Sequence, residues 1–162
     1  MCGCAFAGKS TLARAIQSIT EARYISLDEI NHRRGLGLVD EIIPSHEWEK
    51  THQAAFEEIR EFGKSDRDIV LDDTNYSKKL RNRFTSLATQ MGYESIVVFV
   101  DTSKAVLIDR RNSNKQTKTR MHVPSQPFYE VIDNFEIPLS DENTIVYHDG
   151  EDISEWLNKH IQ

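Results

Sequence analysis

The start of the chain carries a pattern that suits the binding of a phosphate group. Gly3 and Gly8 flank four residues and are followed by Lys9 and Ser10. In loops of this pattern, backbone N–H groups turn inward around phosphate oxygens, the lysine brings a positive charge to the β- and γ-phosphates, and the hydroxyl group reaches Mg²⁺. The pattern therefore predicts a nucleotide-binding loop that leads into a helix.

A glycine-rich helix cap that binds no ligand is the alternative interpretation of this loop. A random chain of this length would match every fixed position on the order of one time in two hundred, so nucleotide binding is preferred. Asn114 and Lys115 are not followed by the x-Asp of guanine-reading loops, which favours ATP over GTP.

Carboxylates follow two strand-like segments, and in a parallel sheet ligands gather at the carboxyl ends of the strands. Asp28 could accept the proton of a hydroxyl group that attacks the γ-phosphorus, or it could cap a helical turn. One of the adjacent pair Asp72 and Asp73 could hold Mg²⁺. Thr74 and Asn75 could position a substrate or cap the next helix.

Arginines near a basic segment, residues 112–125, could close over a triphosphate. Guanidinium groups on a mobile element can neutralise charge that grows on a transferred phosphoryl group, as Arg111 and Arg120 would do here. For Arg110 alone, a solvated charged face is the better interpretation. The segment has no apolar period, and we expect it to be disordered without nucleotide and to close on binding.

Strand-like and helix-like segments alternate, which is typical of a parallel sheet covered by helices. Strands are predicted at 24–27, 68–72, 95–101 and 144–147, and helices after Lys9, from Ser45 to Gly63, from Ser77 to Gly92 and around Trp156. Only two residues precede Gly3, so the strand that should lead into the loop is largely missing. We expect a misplaced recorded start, with a truncated chain as the alternative.

Composition predicts one domain, residues 1–162, with a basic lid at about 110–125. The 162 residues are 38% hydrophobic and carry a net charge of −6, which argues against binding to long nucleic acids. No segment has the length and apolarity of a membrane span, so we expect a cytoplasmic protein. Cys2 and Cys4 have no further cysteine partners, so neither a disulfide framework nor a cysteine zinc site is expected.

Taken together, these segments resemble the P-loop kinase family that includes the 5′-hydroxyl polynucleotide kinases and many bacterial kinases of the same ATPase-like domain class. Zeta-toxin sugar-nucleotide kinases are more distant. The resemblance runs from Gly3 to about Pro138 and rests on the segments GCAFAGKST, ISLDE, VLDDTN, DRRN, RMHVP and FEIP.

The resemblance implies an α/β protein with the P-loop NTPase three-layer fold, a parallel sheet in the order 2-3-1-4-5 and helices on both faces. It implies ATP and Mg²⁺ as cofactors. The nucleotide-binding residues would be Gly3, Cys4, Ala5, Phe6, Ala7, Gly8, Lys9, Ser10, Thr11 and Arg111. The catalytic residues would be Lys9, Asp28 as general base, and the lid arginines Arg111 and Arg120.

The acceptor side follows from the same resemblance. Ser10 and Asp73 would hold the metal, and the acceptor would contact Asp28, Arg33, Asp73, Thr74 and Asn75. Many family members have an arginine three residues after the base, where this chain has Asn31 with Arg33 and Arg34 nearby. The phosphate loop also departs from the family, because Phe6 and Ala7 replace its usual Pro-Gly-Ser.

The function that this sequence favours is transfer of the γ-phosphoryl group of ATP to a hydroxyl group of a small molecule or a nucleic-acid 5′ end. Two alternatives stay open. One is an ATP hydrolase without a dedicated acceptor, and the other is an inactive nucleotide-binding remnant truncated at its N-terminus.

Overall fold

The computed structural model describes residues 1–37, 42–65, 67–118 and 120–161. Its strands are β1 (Arg23–Ser26), β2 (Ile69–Asp72), β3 (Val97–Asp101) and β4 (Thr144–His148). β1 pairs with β2 and β3 pairs with β4, and both pairs are parallel. Each strand lies where the sequence predicts one, with ends that differ by one or two residues.

The N-terminal residues lie between the two strand pairs. Cys2 exchanges two backbone hydrogen bonds of 2.8 Å with β3. On the other side, the amino nitrogen of Met1 donates to the Leu71 carbonyl oxygen at 2.7 Å, and the Gly3 N–H donates to the Thr74 carbonyl oxygen at 3.0 Å. Because Cys2 forms only an isolated β-bridge, the full strand order 2-3-1-4-5 stays a prediction.

Helices follow or precede every strand, as the α/β prediction requires. They are α1 (Lys9–Thr20), α2 (Leu27–Arg33), α3 (Ser45–Phe62), α4 (Lys78–Gln90), α5 (Lys104–Thr117), α6 (Ser125–Asp133) and α7 (Ile153–His160). Short 3₁₀ turns occupy Gly63–Ser65 and Ser140–Glu142. Ser45, predicted to cap α3, is instead its first residue, and Pro44 holds the cap position.

Helix α5 corrects the prediction of an irregular segment over 112–125. The helix continues to Thr117, and its buried residues are Leu107, Arg111 and Asn114. These side chains repeat every three or four residues, so they share one face. Because two of these three buried side chains, Arg111 and Asn114, are polar, the helix shows no periodic pattern of apolar residues in the sequence. Thr119 lies outside the described residues.

Two clusters of buried side chains hold the helices against the strands. One joins residues from α1, α5, α6 and α7 to β3 and β4. The other joins α2, α3 and α4 to β1. The spacing of Ile19 with Leu12 and Ile16 predicts a shared buried face of α1, but Ile19 is 54% exposed.

A buried ion pair ties the N-terminal residues to the far end of the chain. The Arg81 guanidinium donates to both carboxylate oxygens of Glu142, at 2.6 and 3.0 Å, and both side chains are less than a tenth exposed. It also donates to the carbonyl oxygens of Asn75 and Glu136 at 3.0 and 2.9 Å. Arg81 therefore joins α4 to the turn that follows β2 and to the 3₁₀ turn before β4.

In the part of the chain that the structure describes, no helix combines the length and the apolar character needed to cross a membrane.

Candidate functional site

The phosphate loop, residues 3–10, has a backbone shape that depends on its glycines. Gly3 and Gly8 have φ angles of +150° and +102°, which side chains rarely allow. At Gly3 a Cβ atom would also lie 2.9 Å from the Val100 carbonyl oxygen. The close approach of the loop to β3 therefore excludes any other residue at position 3.

The first turn of α1 presents backbone donors that no described residue accepts. Gly8 occupies the cap position in a left-handed conformation, and no side chain caps the helix. The N–H groups of residues 8–11 have no acceptor among the described residues. Lys9 is 8% exposed, and its ammonium group donates to the Cys4 carbonyl oxygen at 2.9 Å, across the loop. Free N–H groups and a lysine at a helix start form a favourable site for a phosphate.

Phe6 anchors the loop to the core. It is 7% exposed, and its ring meets the Phe128 ring of α6 edge to face, with centroids 6.0 Å apart. Its φ of +68° is unusual for an aromatic residue. The Thr102 hydroxyl fixes the next peptide by donating to the Ala7 carbonyl oxygen at 3.1 Å. The loop is thus held from both sides in a strained conformation, as functional loops often are.

Asp28 lies in the first turn of α2, directly after β1, and does not cap the helix. Ser26 is the cap, because its hydroxyl accepts from the Glu29 N–H at 3.3 Å. The alternative interpretation of Asp28 as a capping residue is therefore wrong, and its carboxylate is left for other contacts. The sequence search overlooked Ser26, although serine is among the preferred cap residues.

Asp28 is exposed to solvent, although many protein atoms surround its carboxyl group. Loss of surrounding water raises its pKa above the usual range, and the charges of Asp73 and Asp72 add to the rise. Lys9 and Arg120 oppose it. A carboxylate with a raised pKa that lies near cations has the properties of a general base.

The two aspartates that close β2 differ in their surroundings. Asp72 is 5% exposed and accepts a 2.7 Å hydrogen bond from the Tyr24 hydroxyl. Asp73 is half-buried and accepts from the Asn75 N–H at 3.2 Å, with Thr74 O–H at the limit of hydrogen-bond distance. Asp73 therefore keeps acceptor capacity for a ligand, whereas Asp72 is occupied by a phenol.

Thr74 and Asn75 do not cap α4. That role belongs to Ser77, whose hydroxyl accepts from the Leu80 N–H at 3.3 Å. Asn75 is 5% exposed, and its amide nitrogen donates to the Met1 carbonyl oxygen at 3.0 Å. It holds the N-terminal residues in place, and its Oδ1 atom has no hydrogen-bond partner among the described residues.

The donor set here fits Mg²⁺ in the manner of a nucleotide-bound ion. Among the described residues, no group of three or more carboxylate, histidine or cysteine side chains could cage a metal. Mg²⁺ prefers to keep waters and to bind one or two protein oxygens with substrate phosphates. The Ser10 hydroxyl beside the loop and the Asp73 carboxylate supply that number of oxygens.

Arg111, predicted to contact the triphosphate, is buried in this conformation. Its guanidinium donates twice to the Val123 carbonyl oxygen, at 3.1 and 3.0 Å, and once to the Ser125 hydroxyl at 2.9 Å. It also stacks 4.9 Å from the centre of the Phe128 ring. Arg111 therefore fixes the segment between α5 and α6, and its role at the nucleotide stays a prediction.

Arg120 has the opposite arrangement. Its backbone is clasped by the Asn114 amide, with hydrogen bonds of 2.9 and 3.1 Å. Its exposed side chain lines a cleft of about 380 Å³ beside Gly8, and it has no ion-pair partner in the described part of the chain. A tethered backbone and a free guanidinium suit a residue that meets an incoming phosphate.

The same cleft contains residues that the sequence search undervalued. Arg110 pairs with both Asp149 carboxylate oxygens, at 2.8 and 3.1 Å, and donates to the Phe6 carbonyl oxygen at 3.3 Å. It therefore faces the cleft and is not simply a solvated charge. The rule that ligands gather at strand ends could have found Asp149, which follows β4. Gly150 and Ile153 complete this wall.

Arg33, predicted to contact the acceptor, lies on the exposed side of α2. Its guanidinium pairs with Glu58 of α3. Because the Arg33 side chain is 54% exposed and the Glu58 side chain 32% exposed, the pair adds little stability. Contact with an acceptor would require this pair to open, so the role of Arg33 stays a prediction.

Removing the Arg111 side chain should loosen the segment that follows α5. We expect Arg111→Ala to be cut by trypsin after Lys118 or Arg120 several-fold faster than the wild type, because three hydrogen bonds are lost. Asn112→Ala, an exposed change on the same helix, is the control. Equal cutting of both variants would contradict the anchoring role of Arg111. A separate comparison of the wild type with and without ATP and Mg²⁺ tests whether the segment at 112–125 closes on nucleotide binding, and equal cutting in the two conditions would contradict that closure.

Comparisons with known proteins show the family and the fold of this chain. A family model described as an AAA domain matches residues 1–138. The fold is similar to that of a gluconokinase from Sinorhizobium meliloti 1021, with 16% identity, a TM-score of 0.66 and coverage of 98% of this chain and 85% of that one. No curated protein sequence matches the chain.

Two other similar structures contain ligands. The Mycobacterium tuberculosis APS kinase CysC, in complex with AMPPNP and APS, is 13% identical with a TM-score of 0.70, and the match covers 99% of this chain and 92% of that one. Kti12 from Chaetomium thermophilum, in complex with ADP-AlF3, is 20% identical with a TM-score of 0.72 and coverage of 98% and 94%. These likenesses show the P-loop kinase fold.

Proposed function

This chain belongs to the AAA domain family, and on that premise we propose that it is an ATP- and Mg²⁺-dependent phosphotransferase. It would move the γ-phosphoryl group of ATP to a hydroxyl group. The observation that carries the proposal is the phosphate loop, where the N–H groups of residues 8–11 have no acceptor among the described residues and the Lys9 ammonium lies across the loop. The charges of Lys9, Arg120 and Asp73 also influence the pKa of Asp28, which supports a position of Asp28 near this loop. A phosphate site and a candidate base therefore face one space.

The nucleotide phosphates would lie over the first turn of α1. The unpaired N–H groups of residues 8–11 and the Lys9 ammonium suit their oxygens. The cleft of about 380 Å³ beside Gly8 has the volume of a small-molecule site and would take the base and ribose. Arg110 and Asp149 lie at the edge of this cleft, and their ion pair would limit the access of the nucleotide to it.

Asp28 would take the proton of the attacking hydroxyl group. Its position in the first turn of α2 and the influence of the Lys9 and Arg120 charges on it support this role, and its raised pKa makes it a stronger base than an ordinary carboxylate. Lys9 and Arg120 would stabilise the charge on the transferred group. Ser10 and Asp73 would hold Mg²⁺, which when bound supplies positive charge to the phosphate oxygens.

Removal of the Lys9 charge tests the phosphate site. We expect Lys9→Ala to lower phosphoryl transfer by about 10²–10³-fold, as loss of one preorganised electrostatic group typically does. Its ammonium donates only to a loop carbonyl oxygen, so the fold should survive. Transfer of labelled phosphate from ATP measures the first effect, and circular dichroism with thermal unfolding measures the second.

The wild type should gain thermal stability with ATP and Mg²⁺, because a ligand that binds only the folded chain stabilises it. The matched control for Lys9→Ala is Lys64→Ala, because Lys64 is an exposed lysine in the 3₁₀ turn after α3. If the wild type gains no stability with the nucleotide, the proposed function is wrong. Nucleotide binding with release of phosphate to water alone would favour a hydrolase, and binding without any turnover would favour an inactive nucleotide-binding protein.

A further inference from the structure

The cleft beside the phosphate loop is shared between the start of the chain and its C-terminal part. Gly8 and Thr11 line it from the loop and the first turn of α1, and Tyr147, Asp149 and Ile153 line it from β4, the following turn and α7. A nucleotide whose phosphates contact the N–H groups of residues 8–11 would therefore extend its base into this cleft. The residues on the C-terminal side then decide which base is accepted.

The apolar part of the lining cannot distinguish one nucleobase from another. Leu12 and Ile153 contribute apolar side chains, and Tyr147 contributes its ring. The Tyr147 hydroxyl is already engaged, because it donates to the Glu151 carbonyl oxygen at 2.7 Å. Apolar and aromatic side chains suit the flat face of any base. Discrimination between bases therefore depends on the charged groups of the cleft.

A carboxylate and a guanidinium lie together at the edge of this cleft. The Arg110 Nη2 atom donates to both Asp149 carboxylate oxygens, at 2.8 and 3.1 Å, and its Nη1 atom donates to the Phe6 carbonyl oxygen at 3.3 Å. The Asp149 N–H donates to the Asp101 carbonyl oxygen at 2.9 Å, at the end of β3. Among the described residues that line the cleft, Asp149 is the one carboxylate.

The Asp149 carboxylate keeps acceptor capacity for a ligand. An ionised carboxylate has about four acceptor positions, and a single nitrogen atom of Arg110 occupies only part of them. The Asp149 side chain is 26% exposed and the Arg110 side chain 42% exposed, so solvent reaches both. A base in the cleft can therefore donate to Asp149 while the ion pair stays intact.

A carboxylate in this place suits the hydrogen-bonding edge of guanine. The N1–H and N2 amino groups of guanine are adjacent donors, so two carboxylate oxygens can accept from both. Adenine has one amino group, N6, beside the N1 acceptor, so it gives a carboxylate one hydrogen bond. Asn114 and Lys115 lack the x-Asp of guanine-reading loops, but the structure supplies a carboxylate from the turn after β4 instead.

We propose that GTP serves as a phosphate donor as well as ATP, and that Asp149 sets the preference between the two. This inference rests on the proposed phosphotransferase function. With GTP, the acceptor oxygen forms a bond to the γ-phosphorus as the bond from that phosphorus to the β–γ bridging oxygen breaks. GDP leaves with the electron pair, and the hydroxyl proton passes to Asp28.

The first experiment compares nucleotides by calorimetric titration of the wild type with Mg²⁺ present. We expect the Kd for GTP to lie within about tenfold of the Kd for ATP. ITP, which lacks the 2-amino group, should bind about tenfold more weakly than GTP, the effect of one lost hydrogen bond to a charged group. A larger Kd for GTP than this range allows would overturn the inference, as would equal Kd values for GTP and ITP. Absence of ATP binding would instead contradict the proposed function.

A transfer assay tests GTP as a donor. Labelled ATP and labelled GTP would be offered in parallel with a panel of small hydroxyl compounds and a 5′-hydroxyl oligonucleotide. Every compound that gains labelled phosphate from ATP should also gain it from GTP. Transfer from ATP alone would overturn the inference, whereas no transfer from either nucleotide would contradict the proposed function.

The Asp149→Asn variant tests the carboxylate itself. The ratio of the Kd for GTP to the Kd for ATP should rise about tenfold, because the amide accepts with one oxygen where the carboxylate accepts with two. The difference between GTP and ITP should shrink in the same variant. Asp149→Ser gives the same test if the asparagine variant does not fold.

Asp101→Asn is the matched control. It removes the same charge from the end of β3, where Asp101 pairs with His148, and its Kd ratio should stay at the wild-type value. An unchanged ratio in a folded Asp149 variant would overturn the role of Asp149. An equal rise in the Asp101 and Asp149 variants would show a general effect of charge and would overturn that role as well.

Discussion

Asp28→Asn should lower phosphoryl transfer by about 10²–10⁴-fold, the range that general base catalysis supplies. The amide keeps the shape of the side chain but cannot accept the proton of the attacking hydroxyl group. ATP affinity should change little or increase, because the variant removes a negative charge beside the phosphates. Labelled phosphate transfer measures the rate, and calorimetric titration with ATP and Mg²⁺ measures the affinity.

The same substitution should stabilise the folded chain at neutral pH. The pKa of Asp28 is raised in the folded state, mainly by loss of water and further by Asp73 and Asp72. Its ionised form is therefore less favourable in the folded than in the unfolded chain, and ionisation lowers stability. As the pH falls through the raised pKa, the wild-type carboxyl group becomes neutral, so the advantage of Asp28→Asn should disappear.

Glu29→Gln is the control for both effects. Glu29 is the next residue on α2, is exposed and pairs with Arg14. Its substitution should leave transfer and the melting temperature near wild-type values, because exposed ion pairs contribute little. If Asp28→Asn retains most of the wild-type transfer rate, another group takes the proton and the assignment of the base is wrong.

Arg81→Met should destabilise the chain by about 3–5 kcal/mol, the usual cost of removing one partner of a buried ion pair. The variant leaves the Glu142 carboxylate buried without its counter-ion, and the Asn75 and Glu136 carbonyl oxygens lose a donor. This is a large share of a typical folding free energy of about 5–15 kcal/mol. The midpoint of urea unfolding measures it, with the exposed Arg60→Met as control.

A second substitution and a pH series separate the ion pair from general packing. The hydrogen bonds of Arg81 lower the pKa of Glu142. The stability that the Arg81–Glu142 ion pair contributes is therefore present at neutral pH, and it is lost as the pH falls through the lowered pKa of Glu142 in the folded state. Arg81→Met combined with Glu142→Gln should recover part of the lost stability, since no buried charge remains unpaired. Equal stability of the single and double variants would contradict this account.

The sequence predicted most of the elements because they follow simple periods. Strands such as β3 are short apolar runs, and α3 and α4 show apolar residues every three or four positions. Helix α5 lacks that pattern since Arg111 and Asn114 occupy its buried face. They bond to backbone groups of the segment at 120–125, and Arg111 also to the Ser125 hydroxyl, and these partners are close in space but give no composition signal.

The phosphate loop and the carboxylates at strand ends could also be located from the sequence. Their spacing or position relative to a strand is local information. Ion pairs cannot be located in this way, because the sequence does not distinguish Arg33, Arg83 and Arg110 from other basic residues. Their glutamate and aspartate partners lie 25, 34 and 39 residues away along the chain. The packing of the helices decides which arginines are paired, and Arg120 has no ion-pair partner in the part of the chain that the structure describes.

The edge-to-face contact of Phe6 with Phe128 links two events that would otherwise be independent. Phe6 belongs to the loop that would grip the phosphates, and Phe128 belongs to α6 and carries the stacked Arg111 guanidinium. Tightly packed rings cannot separate without opening a costly void. Any shift of the loop must therefore move α6, and by thermodynamic reciprocity any partner that repositions α6 must alter affinity for the nucleotide.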